Sequence, residues 1–108
     1  MDEECCEIVV TDADPDRLVA LTRTLVVERL VACGQQVAPI RSVYRWEGAV
    51  HDDAEARVAL HTRRSLADAV VTRAVELHGY EVPCVLVLPV LGGNPAYLRW
   101  IAAETREP

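Results

Sequence analysis

Residues 40–62, IRSVYRWEGAVHDDAEARVALHT, decide the fold, because hydrophobic spacing here changes from a helical period to a period of two. Alternate residues share a face in each arm of this stretch, namely Ser42, Tyr44 and Trp46 in the first and Ala56, Val58 and Leu60 in the second. The pattern predicts a β-hairpin with arms at 40–48 and 54–62. Its predicted tip, residues 48–53, exceeds a two-residue turn, so the register stays open.

Upstream, Pro39 predicts a bulge or an edge position where the first arm begins. The β-branched residues 8–10 predict a strand, and Asp14 followed by Pro15 predicts a helix N-cap with proline at the first helical position. Leucines at three- and four-residue spacing continue the helix, and Gly34 supplies a stop. We therefore expect a first helix of about five turns.

Downstream, residues 65–68 resemble a capping box, with Asp68 in the acidic position, and begin a second helix that ends at Gly79. Residues 84–90 form an apolar segment between prolines and predict a strand. Asn94 followed by Pro95 predicts the cap of a third helix.

The element order is therefore βαββαβ followed by a helix, which predicts an α+β fold of the ferredoxin-like, split-βαβ type. Right-handed crossovers place strands one and three in the middle of such a sheet. The fourth strand is apolar on both faces and lies at an edge, where it would aggregate unless another chain covered it. We therefore expect the protein to self-associate.

Composition limits the class of protein. The 108 residues predict one domain spanning 1–108, and the net charge of −6 opposes binding to nucleic acid. All 11 basic residues are Arg, without a basic stripe. The longest apolar run, residues 82–91, is too short to cross a bilayer, so we expect no membrane partner. The acidic N-terminus is unlike a secretory signal and predicts a cytoplasmic location.

Four cysteines show neither a CxxC pair nor a zinc-like spacing. We expect Cys33 and Cys84 to be buried thiols, since free cysteine is among the most buried residue types. Cys5 and Cys6 point to opposite faces of an extended chain, so at most one of them faces the core. Their role is not predicted.

Four motifs, in order, resemble those of the divalent-cation tolerance (CutA) family, and the similarity covers about residues 7–101. They are Leu30-Val31-Ala32-Cys33, Ser42-Val43-Tyr44-Arg45-Trp46-Glu47-Gly48, Tyr80-Glu81-Val82-Pro83, and Gly93 followed by Tyr97-Leu98-Arg99-Trp100.

The resemblance implies a homotrimer with a cleft between subunits and Cu(II) or another divalent cation as ligand. It places seven residues in that cleft, namely Cys33, Tyr44, Trp46, Glu55, His61, Tyr80 and Glu81. A thiol, an imidazole and carboxylates are also the groups of Cys-His nucleophilic catalysis, but this requires hydrogen-bond contact. We expect no enzymatic activity.

The chain departs from the family at the residues implied to bind copper. In copper-binding members, a thiol at the end of the first strand and two histidines before a Pro-Tyr pair have been proposed as ligands. Here Asp12 replaces the thiol, and Leu77 with His78 replaces the two histidines. Asp12 and His78 are thus the predicted metal ligands, and they suit Cu(II) better than Cu(I). A further departure is His61, where the family commonly has Lys.

These observations predict a trimeric divalent-cation tolerance protein that binds and responds to metal ions. The alternative is a PII-like signalling module that binds a small anionic ligand in the cleft between subunits. A mainly structural trimer would bind neither class of ligand.

Overall fold

The computed structural model describes residues 3–108, which form a four-stranded antiparallel sheet, three α-helices and a short 3₁₀ turn. In chain order these are β1 Cys5–Asp12, α1 Pro15–Val27, β2 Cys33–Trp46, β3 Ala49–Arg63, the 3₁₀ turn Arg64–Leu66, α2 Ala67–Leu77, β4 Val85–Pro89 and α3 Pro95–Glu104. The strand order β2-β3-β1-β4 confirms the predicted ferredoxin-like fold. Within the described residues, no helix is long and apolar enough to cross a membrane.

The core lies between one face of the sheet and helices α1 and α2. Alternate residues of β1 and β3 supply the sheet side, and the leucine stripe of α1 with Val70 of α2 covers them. The sheet residues are Cys6, Ile8, Val10, Ala56, Val58 and Leu60. Glu7 and His61, which pair across β1 and β3, therefore belong to the opposite face.

Helix α1 begins as predicted, since the Asp14 carboxylate accepts hydrogen bonds from the backbone N–H groups of Asp16 and Arg17. It ends earlier than predicted, at Val27, because Arg29 takes a left-handed conformation with φ of 59°. The Arg29 side chain donates hydrogen bonds to the carbonyls of Ala103 and Glu104, which offset the cost of this backbone conformation. The prediction that Gly34 stops the helix is wrong.

Gly34 instead lies within β2, beneath α1. A Cβ atom at this position would lie 2.9 Å from Cδ2 of Leu60 and closer still to Cγ2 of Thr22. Glycine therefore permits the close approach of strand and helix at this point.

The hairpin is longer than predicted and its tip is elsewhere. Trp46 pairs with Ala49, so the turn consists of Glu47 and Gly48 alone, with φ of 49° and 79°. Residues 49–53 continue β3, because Asp52 binds Arg41 and Asp53 binds Tyr44 across the hairpin. The bulge predicted at Pro39 is confirmed by a register shift between Val37 and Ile40.

Two further local predictions differ from the structure. The capping box at residue 65 is wrong, because the Ser65 hydroxyl donates to the Glu3 carboxylate and α2 has no side-chain cap. Helix α2 ends at Leu77 rather than Gly79, as His78 is extended. Asn94 caps α3 as predicted, with its side-chain oxygen 3.1 Å from the backbone nitrogen of Ala96.

Candidate functional site

A cavity of about 590 Å³ opens between the β2–β3 hairpin and the loop that precedes β4. We call it the acidic cavity. It is lined by Thr11, Ser42, Tyr44, Trp46, Glu55, Tyr80, Glu81, Val82 and Cys84. Five of the seven residues that the resemblance placed in a cleft thus lie together in one subunit.

The charge of the acidic cavity is negative. Glu55 and Glu81 line it, whereas its described lining holds no Arg, Lys or His. Asp53 lies beside it and accepts a hydrogen bond of 2.7 Å from the Tyr44 hydroxyl. This hydrogen bond, together with desolvation, raises the pKa of Tyr44 to about 12, so the phenol is neutral at physiological pH. The cavity therefore favours cationic ligands over phosphates.

His78 positions the wall of the cavity. Its ring is buried, with Nε2 donating to the carbonyl of Thr11 at 2.7 Å and Nδ1 accepting from the backbone N–H of Tyr80 at 3.1 Å. The Tyr80 hydroxyl in turn accepts from the backbone N–H of Ala13 at 2.8 Å. His78 thus fastens the loop before β4 to the end of β1.

Asp12 lies next to His78, with 3.6 Å between Oδ2 and Nε2, and its side chain is fully buried. Arg17 binds both carboxylate oxygens, at 2.7 and 2.8 Å, and the backbone N–H of Asp14 adds a third bond. Burial alone would raise the pKa of Asp12, but the hydrogen bonds from Arg17 and Asp14 outweigh it and lower the pKa. The carboxylate is therefore ionised, and the Arg17 guanidinium already neutralises its charge.

The structure brings the two predicted metal ligands, Asp12 and His78, together beneath the acidic cavity. Their donor atoms are engaged by protein groups in this structure. Within residues 3–108, no group of three or more His, Cys, Asp or Glu residues is arranged to hold a metal ion. The assignment of Asp12 and His78 as ligands stays a prediction.

The other two predicted cleft residues, Cys33 and His61, form a separate cluster with Tyr97 and Glu7. The Tyr97 hydroxyl lies 2.6 Å from Nδ1 of His61 and 3.3 Å from Sγ of Cys33. Nε2 of His61 lies 3.0 Å from a Glu7 carboxylate oxygen. Burial, followed by the contact with Cys33, raises the pKa of Tyr97 to about 12, so this hydroxyl keeps its proton.

The four thiols are distributed differently from the prediction. Cys33 is partly exposed because it begins β2 beside His61, on the face opposite α1 and α2, and Cys84 is exposed at the acidic cavity. The expectation that both are buried is therefore wrong. Cys5 and Cys6 are both buried, but only Cys6 belongs to the core cluster. Burial raises the pKa of Cys6 to about 11 and keeps it a thiol.

The sequence did not identify Glu7 and Tyr97 as members of the Cys33–His61 cluster. Glu7 follows from strand alternation once the pairing of Glu7 with His61 is known. Tyr97 belongs to one of the four family motifs, but no local pattern predicts that α3 crosses β3 beside His61. Arg63 produces that placement by donating to the carbonyl of Ala102 and to both oxygens of Thr105.

The fold and the negatively charged cavity define a ferredoxin-like protein with features suited to cation binding. The sequence model described as CutA1 divalent ion tolerance protein matches residues 6–104. The chain belongs to this family, which confirms the resemblance drawn from its motifs.

Individual relatives agree with this family assignment. The chain is 41% identical over 100 residues to Protein CutA 1, chloroplastic, of Oryza sativa, covering 93% of this chain and 56% of that protein. It is 35% identical over 104 residues to the divalent-cation tolerance protein CutA of Pectobacterium atrosepticum, covering 94% of each. The crystal structure of CutA1 from Oryza sativa matches with a TM-score of 0.95 and 38% identity, covering 99% of this chain and 98% of that one. The chain spans about half the length of the plant proteins it matches.

Proposed function

We propose that this protein is a trimeric divalent-cation tolerance protein that binds divalent metal ions, copper among them, at the acidic cavity. The observation that carries the proposal is the sign of the cavity's charge. Glu55 and Glu81 line it beside Asp53, without a basic side chain among the described lining residues. Carboxylate oxygens are ligands for divalent cations, and a negatively charged site attracts them.

The trimer is supported by exposed apolar side chains on the hairpin and on the edge strand β4. On the hairpin, Val43 and Val50 are 64% and 66% exposed, and on the edge strand β4 Leu86 is 60% exposed. Exposed apolar edges of this kind are covered by another chain in stable proteins.

The alternative, a PII-like module for a small anionic ligand, has weaker support. Phosphate groups bind where backbone N–H groups or basic side chains converge, whereas the described lining of this cavity contributes two carboxylates. The family name refers to tolerance of divalent ions.

We further propose that the protein is not an enzyme. Its cytoplasmic location stays a prediction.

The test is calorimetric titration with Cu(II) and Zn(II), followed by analysis of bound metal, on wild type and on a Glu55→Gln, Glu81→Gln double variant. We expect the double variant to lose affinity at least tenfold. Glu47→Gln, which removes a carboxylate at the hairpin turn outside the lining, is the matched control and should bind like wild type. Equal affinity in the double variant, or no binding to wild type, would contradict the proposal.

The same titration on His78→Ala, compared with the Glu55→Gln, Glu81→Gln double variant, separates the two candidate locations. Stoichiometry unchanged by this substitution would exclude His78 as a ligand while leaving the acidic cavity in place. Loss of a bound metal equivalent in His78→Ala, with the fold intact by circular dichroism and with binding unchanged in the double variant, would move the site to His78 and Asp12.

A further inference from the structure

Cys33 and His61 face each other on the paired strands β2 and β3, with 3.6 Å between Sγ and Nδ1. This pair lies outside the acidic cavity, and the proposed function does not use it. We propose that Cys33 and His61 form a second site, which binds a thiophilic divalent ion of the Zn²⁺ type.

The distance fits tetrahedral coordination. With Zn–S of about 2.3 Å and Zn–N of about 2.0–2.1 Å, a tetrahedral angle at the metal separates the two donor atoms by about 3.6 Å. The Sγ–Nδ1 distance has this value already, so both ligands bind one ion without movement of the strands. Cross-strand pairing fixes both Cα positions and so preserves the spacing.

Glu7 orients the imidazole for this role. Its carboxylate lies 3.0 Å from Nε2 of His61, which assigns the ring proton to Nε2 and leaves Nδ1 as the acceptor nitrogen, the one in contact with Tyr97 and Cys33. A carboxylate that accepts the second ring N–H is the usual partner of a metal-binding histidine, because it orients the ring and raises its basicity. The Glu7 charge also offsets the charge of the ion.

Tyr97 occupies the position that a metal ion would take. Its hydroxyl lies 2.6 Å from Nδ1 of His61 and 3.3 Å from Sγ of Cys33, at the convergence of both donors. Because its oxygen lies within hydrogen-bond distance of Nδ1, the hydroxyl must turn away from Nδ1 when the ion enters. Two protein donors leave the other coordination positions open to water or an added ligand.

The site depends on His61, a residue that distinguishes this chain from the family pattern. Where the family resemblance gives a Lys, this chain has His61, and a protonated ammonium has no lone pair for a metal ion. His61→Lys is therefore both the family's own arrangement and the substitution that removes the nitrogen donor.

Titration with Co(II) in place of zinc tests the site, because a cobalt–thiolate bond produces a charge-transfer band in the near ultraviolet. We expect this band in wild type at one equivalent per chain and its loss in Cys33→Ser and in His61→Lys. Glu7→Gln should retain the band but weaken binding by about tenfold or more. Cys84→Ser, which removes the other exposed thiol, is the matched control and should leave the band intact.

Absence of the band in wild type would overturn the proposal, as would its persistence in Cys33→Ser. Circular dichroism verifies that each variant is folded. If either Cys33→Ser or His61→Lys misfolds, the other still tests the site. The double variant Glu55→Gln, Glu81→Gln separates the two proposals, since it should abolish binding at the acidic cavity without changing the cobalt–thiolate band. Loss of the band in that variant would show that the sites are one.

Discussion

Asp12 and Arg17 form a two-point ion pair in which the carboxylate is fully buried and the guanidinium remains partly exposed. The pair joins the end of β1 to the first turn of α1. Arg17 also lies above the Tyr80 ring, with 5.8 Å between Cζ and the ring centroid. A residue predicted as a metal ligand therefore also has a structural role, in the wall of the acidic cavity.

Asp12→Asn should destabilise the fold by about 2 kcal/mol at pH 7, because the charge-assisted bonds from Arg17 are lost in a buried place. Since the folded-state pKa of Asp12 lies below its unfolded value, its contribution is complete above about pH 5 and is lost as pH falls below about 4. Denaturant unfolding at several pH values measures this. The gap between wild type and variant should narrow at acid pH; a constant gap would contradict the assignment.

Gly34→Ala should destabilise the protein by about 1–3 kcal/mol, because the new methyl group meets Thr22 and Leu60 beneath α1. Gly92→Ala is the matched control, as a Cβ there has no neighbour within 4 Å, and its effect should stay within about 0.5 kcal/mol. Chemical denaturation compares the two. Equal stability of both variants would show that α1 does not approach β2 this closely.

Leu86→Lys should shift the protein from trimer to monomer, because it places a charge on the exposed apolar edge strand. Val75→Lys changes a 45%-exposed valine on α2 rather than on the sheet edge, and should leave the trimer intact. Sedimentation velocity at micromolar concentration distinguishes the two outcomes. A wild-type monomer, or dissociation by Val75→Lys alone, would remove the basis for a trimer built on β4.

The sequence predicted those parts of the fold that local chemistry controls. Asp14 and Asn94 satisfy backbone donors within their own helices, so their caps are visible in a few residues. The order of strands follows from element order and crossover handedness. By contrast, α1 ends at Val27, and the left-handed Arg29 beyond it contacts α3, about 75 residues away, which no local pattern contains.

The candidate sites were predictable as a set of residues but not as an arrangement. The family motifs contain most residues of the acidic cavity, but not Thr11, Glu55 or Cys84. Cys33 and His61 lie apart from the cavity because they pair at the end of β2 and β3 remote from the hairpin turn. Residues 49–53 fell within the predicted tip of the hairpin. They remain extended because Arg41 and Tyr44 bind their carboxylates across the hairpin.

The central claim is that the acidic cavity selects cations. Thermal unfolding of wild type with Cu(II), Zn(II), ATP or inorganic phosphate, each compared with the Glu55→Gln, Glu81→Gln double variant, tests it most directly. A ligand that binds only the folded state raises the unfolding temperature. We predict stabilisation by the divalent cations that is reduced in the double variant, and none by the anions. Stabilisation by ATP or phosphate, with none by either metal ion, would contradict the account.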